Sequence, residues 1–154
     1  MPSPYDTDLD RNAANFQPLT PLTFLARAAE VFPDTTAIVH GALSRSYREF
    51  YSRAKRLGSA LARRGVKRGD TVAVVLANTP PMLEAHYGVA MAGAVLNTIN
   101  TRLDAATIAY ILDHSEATAF VIVASVVFVG AAYALSRTCF VLSPLALVIV
   151  FWYS

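Results

Sequence analysis

The side chains best placed for chemistry gather in "NTINTR", residues 97–102, where Asn97, Asn100 and Arg102 stand within six positions. Two amides and a guanidinium can hydrogen-bond carbonyl, phosphate or carboxylate oxygens. The cluster follows the carboxyl end of an expected strand, where open α/β sheets bind ligands. The same residues also read as a turn and helix cap. His86, in "LEAHYG", is the fourth candidate, as a pocket-lining imidazole or as a histidine on a helix surface or in the core. Neither His86 nor the other two histidines, His40 and His114, has metal-ligand spacing, so no metal site is expected. Asp104 and Asp113 lie nine apart on one helix and read as a helix-start charge and a solvated carboxylate. The single cysteine, Cys139, can form neither an internal disulfide nor a cysteine metal cluster. No catalytic residue is assigned.

Motifs for phosphate chemistry are missing. The sequence has no Gly-x-x-x-x-Gly-Lys-Ser/Thr loop, no Gly-x-Gly-x-x-Gly after a strand and no Gly-x-Ser-x-Gly elbow. "GVAMAG", residues 88–93, carries two glycines but no lysine, and reads as helix packing. With 13 basic and 11 acidic residues and no basic patch, nucleic acid is not an expected partner. The N-terminus "MPSPYDTDLDRN" is acidic and lacks an apolar run, so it reads as neither a secretory signal nor a mitochondrial transit peptide. A cytoplasmic location is the expectation.

These candidates need elements to position them. Leu22, Leu25, Ala29 and Phe32 recur at helical spacing behind Thr20 as cap and Pro21 at the first helical position. "TAIVHGALSRSY" reads as a hairpin turning near Gly41. Ser46 and Glu49 form a capping box that opens a helix with Phe50, Ala54, Leu57 and Leu61 on one face. Its charges, Arg53 among them, read as a solvated face, and Gly65 suits the left-handed cap at its end. Three apolar strands follow, at Thr71–Ala77, Val95–Ile99 and 118–124, the first two reading as buried strands covered on both faces, separated by helices opening at Thr79–Pro80 and Asp104. In the first of these helices Ala85, Gly88, Ala92 and Gly93 are small enough for close packing; in the second, Ile108, Ile111 and Leu112 point inward. The β-α-β-α-β order implies right-handed crossovers and a partial doubly wound parallel sheet, an α/β fold.

Several linked phrases carry a family likeness: "PLTPLTFLARAA", "GDTVAVVLANTPPMLEAHYGV", "MAGAVLNTINTRLDA" and "LDHSEA". Across about residues 13–118 the chain resembles the opening of an adenylate-forming acyl-CoA synthetase, nearest to the short- and medium-chain fatty acyl-CoA ligases and plant acyl-activating enzymes. The resemblance implies the start of that family's N-terminal domain. It also implies, for the full-length enzymes, a reaction that uses ATP and Mg²⁺ to join a fatty acid to AMP and then to coenzyme A. In the family the phosphate loop ending Pro-Lys-Gly, the aromatic-Thr-Glu motif, a ribose-binding Asp and a C-terminal lysine lie further downstream. None has a counterpart here, so no cofactor is expected on this chain, and it is expected to be inactive alone, truncated within the domain.

Residues 117–154 carry one of the 24 charged side chains, Arg137. The expected layout is a flexible N-terminus over 1–15, the α/β domain over 16–124 and an apolar tail over 125–154. Uncharged runs at Ala117–Ser136 and Thr138–Ser154 would reach about 30 and 26 Å as helices, against a hydrocarbon core of about 30 Å. A single helix over Val126–Val150 would hold Arg137 near mid-membrane and be kinked by Pro144. The tail is thus a transmembrane anchor, a set of buried strands, or the product of an altered reading frame. The alternative function is a membrane-anchored, non-catalytic binding or regulatory protein.

Overall fold

A computed structural model describes residues 12, 14, 16–123 and 147–151. Helix α1 (Pro21–Val31) is followed by a hairpin of β1 (Thr36–His40) and β2 (Leu43–Ser46), then by α2 (Tyr47–Arg63). The sheet region comprises β3 (Thr71–Val75), α3 (Pro80–Met91), β4 (Val95–Thr98), α4 (Ala105–His114), β5 (Ala117–Val123) and β6 (Leu147–Phe151).

The local signals act as expected. Thr20 accepts a hydrogen bond from the Thr23 amide, and Ser46 and Glu49 form their reciprocal box. Gly41 has φ +58° at the first of the two residues joining β1 to β2, the position that favours glycine in a II′ hairpin. Gly65, at φ +90°, lies just past α2.

The four-stranded sheet has the order β4-β3-β5-β6, with every neighbouring pair parallel. β3 is central, and its side chains alternate between two cores. Val72 and Val74 pack with Leu57 and Leu61 of α2, Met82, Ala85 and Val89 of α3, and Ala119 and Val121 of β5. Ala73 and Val75 face the other way, onto Ile99 and Ile108 of the α4 side. Fully burying a valine or isoleucine contributes about 1.5–3 kcal/mol, so this strand anchors both layers. A third cluster of Leu25, Ile38, Phe50 and Ala54 holds α1 and the hairpin to α2. Phe50 meets Tyr87 of α3 edge-on, with ring centroids 5.1 Å apart.

Three expectations change. β4 is an edge strand, half-exposed rather than buried on both faces, with Val95 54% exposed. Gly93 lies beyond α3, at φ +76°, so only Gly88 of "GVAMAG" serves the packing inside that helix. In the tail, Ala117–Val123 opens the first apolar run as β5, and Leu147–Phe151, inside the second, pairs with it as β6. Both segments are rich in β-branched residues, and parallel pairing satisfies backbone groups that a helix would bond internally. The proposed helix over Val126–Val150 is therefore not formed at its end. Among the described residues no helix is long and apolar enough to cross a membrane. Arg137, Pro144 and the rest of 124–146 lie outside the described residues, as does most of the 1–15 segment.

Candidate functional site

The topology creates a crevice. From β3 the chain crosses to β4 through α3 on one face; from β4 it returns past β3 to β5 through α4 on the other. The loops after β3 and β4 thus leave the carboxyl edge in opposite directions. Open α/β sheets bind ligands at such a switch point. The Ile99 amide donates to the Val74 carbonyl at 2.9 Å, closing the crevice floor.

One wall is Ala77–Thr79, leading into α3. Helix starts often bind anions through unsatisfied amides, but this one cannot. Pro80 and Pro81 carry no N–H, and the Met82 amide donates to the Thr79 carbonyl at 2.9 Å. The Thr79 hydroxyl donates to the Ala77 carbonyl and makes no cap bond. The other wall holds Asn100 and Arg102. Asn100 Oδ1 accepts the Arg102 amide at 2.9 Å, an Asx turn. Asp104 then caps α4 by accepting the Thr107 amide at 2.9 Å. Hydrogen bonds from the Thr107 hydroxyl and then its amide hold the Asp104 carboxyl below the ordinary range. The turn-and-cap reading of "NTINTR" therefore holds, and it leaves Asn100 and Arg102 exposed at the crevice.

The four candidates do not form one site. Asn97 lies within β4, half-buried and paired with Ala73, on the face that α4 covers. His86 lies further along α3, and its Nδ1 donates to the Met82 carbonyl at 2.8 Å, which leaves Nε2 as the acceptor of the neutral ring. It lines a groove of about 670 Å³ between α1, β1 and α3 that includes none of Asn97, Asn100 and Arg102. Among the described residues no group of three or more His, Cys, Asp or Glu side chains could hold a metal ion.

Sequence reasoning missed a buried ion triad. Glu84 of α3 is 5% exposed, and its Oε1 accepts from Arg45 of β2 and, at 2.6 Å, from Arg53 Nε of α2. Arg53 is thus not simply part of a solvated face. The signal was available: Glu84 is the only charge in "PPMLEAHYGVAMAGAV", a stretch otherwise fit for burial.

The AMP-binding enzyme family profile matches residues 25–145, reaching beyond the 13–118 that the quoted phrases cover. The peroxisomal acetate/butyrate–CoA ligase AAE7 of Arabidopsis thaliana is 47% identical over 115 residues, 75% of this chain and 20% of the relative. A benzoate–CoA ligase of Burkholderia xenovorans superposes with a TM-score of 0.72 at 30% identity, covering 85% of this chain and 25% of that one. The N-terminal domain of Mycobacterium tuberculosis FACL13 gives a TM-score of 0.76 at 26% identity, with 84% and 33% covered. The chain spans about a fifth of the length of the curated relatives it matches. With the profile covering most of its length and the parallel sheet shared with these CoA ligases, this chain belongs to the AMP-binding enzyme family.

Proposed function

We propose that this chain supplies the first α/β layer of an ATP-dependent fatty acid–CoA ligase and acts there as a scaffold, without carrying the chemistry itself. Its contribution to substrate binding is the crevice wall at Asn100 and Arg102. That surface offers an amide and a cation to polar or anionic substrate groups. Asn97 and His86 stand outside it.

The observation that carries this reading is the mismatch between the family fold and the groups at its carboxyl edge. Magnesium–ATP needs cations, amide donors and acidic metal ligands. The described residues do not fit that group: α3 begins with two prolines, and no acidic or histidine cluster faces the crevice. Residues 117–154 add one charge, Arg137. No step through ATP or Mg²⁺ is assigned to this chain.

Two measurements test the proposal. The purified 154-residue chain, given magnesium–ATP, a short fatty acid and coenzyme A, is expected to release no pyrophosphate; sustained release would overturn the scaffold reading. A chimera carrying residues 16–123 of this chain in place of the matching region of the Arabidopsis acetate/butyrate–CoA ligase is expected to ligate butyrate to coenzyme A. In it, Arg102→Ala should raise a substrate KM about tenfold with little change in kcat, the loss of about 1.4 kcal/mol from a charge-assisted contact. A folded but inactive chimera would remove the family role.

A further inference from the structure

The near balance of 13 basic and 11 acidic residues hides a local excess. Seven of the basic side chains, and no acidic one, fall between Phe50 and Gly69. Arg53 is taken up by Glu84. The other six, Lys55, Arg56, Arg63, Arg64, Lys67 and Arg68, are exposed, and none forms an ion pair with another described residue. The acidic side chains that bracket the stretch are engaged locally: Glu49 accepts the Ser46 amide and Asp70 the Lys67 amide. The fold therefore assembles a basic patch that the charge totals do not show. Helical periodicity does the gathering, because Lys55, Arg56, Ser59 and Arg63 share the face of α2 opposite Phe50, Ala54, Leu57 and Leu61.

Such a face attracts polyanions, and a second feature narrows which. α1 and α2 leave a groove of about 560 Å³ with Leu22, Ala26, Tyr51 and Met91 among its lining and Lys55 and Ser59 on its polar side. The cationic face and the apolar groove thus share two residues. Nucleic acid has no aliphatic part for such a groove, and single strands bind through aromatic faces on which bases stack. Here Phe50 is buried, and Lys55 Nζ covers one face of the Tyr51 ring at 4.4 Å from its centroid. A phospholipid surface offers both halves, anionic headgroups and the hydrocarbon beneath them. Clusters of four to eight Lys and Arg hold a helix on such a surface, at about fivefold in affinity per cation. We propose that this chain docks on anionic phospholipid bilayers through the cationic face of α2, with the adjoining α1–α2 groove taking up lipid hydrocarbon. The contact lies in the plane of the surface, unlike the spanning helix expected of the tail, and does not depend on the scaffold reading above.

Vesicle flotation of the 154-residue chain provides the test. The probes are vesicles of phosphatidylcholine alone and vesicles in which roughly three tenths of the lipid is phosphatidylserine, at about 50 mM and about 500 mM salt. Neutral vesicles measure uptake through apolar segments alone, so the preference for anionic vesicles is the quantity read. The wild-type chain is expected to bind them about a hundredfold more tightly at low salt, a preference that high salt removes. Arg63→Gln should cut the preference about fivefold, and Lys55→Gln, Arg56→Gln and Arg63→Gln together should abolish it. These positions are exposed, so thermal melting should not change. The charge-preserving set Lys55→Arg, Arg56→Lys and Arg63→Lys should keep the preference, which separates lost charge from lost fold. Arg102→Gln, in the loop after β4, removes the same charge elsewhere and should leave it intact. Three results would overturn the inference: equal binding to both vesicles, a preference lowered equally by Arg63→Gln and Arg102→Gln, or a single-stranded oligothymidylate that binds more tightly than the anionic vesicles and displaces them.

Discussion

The two faces of the sheet are closed by different means. On one, α2 and α3 approach so closely that both need glycine at the crossing. A Cβ on Gly88 would lie 2.8 Å from Leu57 Cβ, and one on Gly58 would lie 2.9 Å from the Gly88 carbonyl oxygen. The Glu84 triad then ties the same helices to the hairpin. On the other face, α4 rests on Ala73, Val75 and Ile99 mainly through Ile108, with Ile111 and Leu112 partly buried beside it. The first face is specified by features that tolerate little substitution. The second follows ordinary hydrophobic burial, where shape can be traded more freely.

The sharpest way to break this contrast is at Glu84. Removing the carboxylate leaves Arg45 and Arg53 facing each other, the former nearly buried. Breaking a buried ion pair costs about 3–5 kcal/mol, and Arg53's partial exposure puts the expected loss for Glu84→Ala near the lower end. Urea unfolding should show it as a fall in midpoint at unchanged slope. Replacing the pair together, Glu84→Leu with Arg45→Met, should recover most of that loss, because the penalty comes from the orphaned charge. A loss below about 1 kcal/mol for Glu84→Ala would place the triad with ordinary surface pairs.

The glycine contact comes next. Gly88→Ala meets Leu57 at its Cβ, which no rotamer change can move, and Gly58→Ala meets backbone. Overpacking of this kind costs about 1–3 kcal/mol, and the better helix propensity of alanine returns up to about 1. Each is expected to lower the melting temperature by several degrees. Gly65→Ala, with nothing within 4 Å of the added Cβ, should cost only its left-handed backbone strain, about 1 kcal/mol. If all three cost the same, the close approach is not what those helix glycines serve. On the opposite face, Ile108→Val should behave as simple truncation, at about 0.5–1.5 kcal/mol.

What the sequence disclosed follows the same division. Caps, turns and strand order are short-range, and Thr20, Ser46–Glu49, Gly41 and Gly65 could be placed from neighbours a few residues away. The Arg45–Glu84 pair spans 39 positions and arises only once the hairpin folds across α3, so no local pattern announced it. The unusual charge in an apolar helix was the available clue. The apolar run Val95–Ile99 does not by itself distinguish a central strand from an edge strand; the order β4-β3-β5-β6 settles that. The candidate site was legible only in part. Asn100 and Arg102 lie exposed in the loop after β4. Asn97 and His86, close in sequence, were turned elsewhere by strand pairing and helix phase.

The smallest expected effect separates the helix starts. α2 and α4 open on carboxylates, Glu49 and Asp104, whereas α1 opens on a threonine box and α3 on prolines. The Glu49 carboxyl is held below its ordinary range, chiefly by the Ser46 amide and then by its hydroxyl, as Asp104 is by Thr107. A carboxyl whose pKa falls on folding stabilises the folded state above its unfolded pKa. That contribution fades as the pH drops through about 4 towards the lower folded value. Both groups are exposed, so acid should fray the first turns of α2 and α4 and leave α1 and α3 unaffected. Amide exchange measured from pH 5 to pH 3 should show protection falling at Ser46 and Thr107, whose amides donate to those carboxylates, but not at Thr23 or Met82. With Asp104→Asn, which can still accept from Thr107 without titrating, the pH dependence at Thr107 should vanish while its protection at pH 5 is largely kept. A uniform loss across all four helix starts would instead mean that acid loosens the sheet beneath them, so that capping and core packing would no longer be separable layers of this fold.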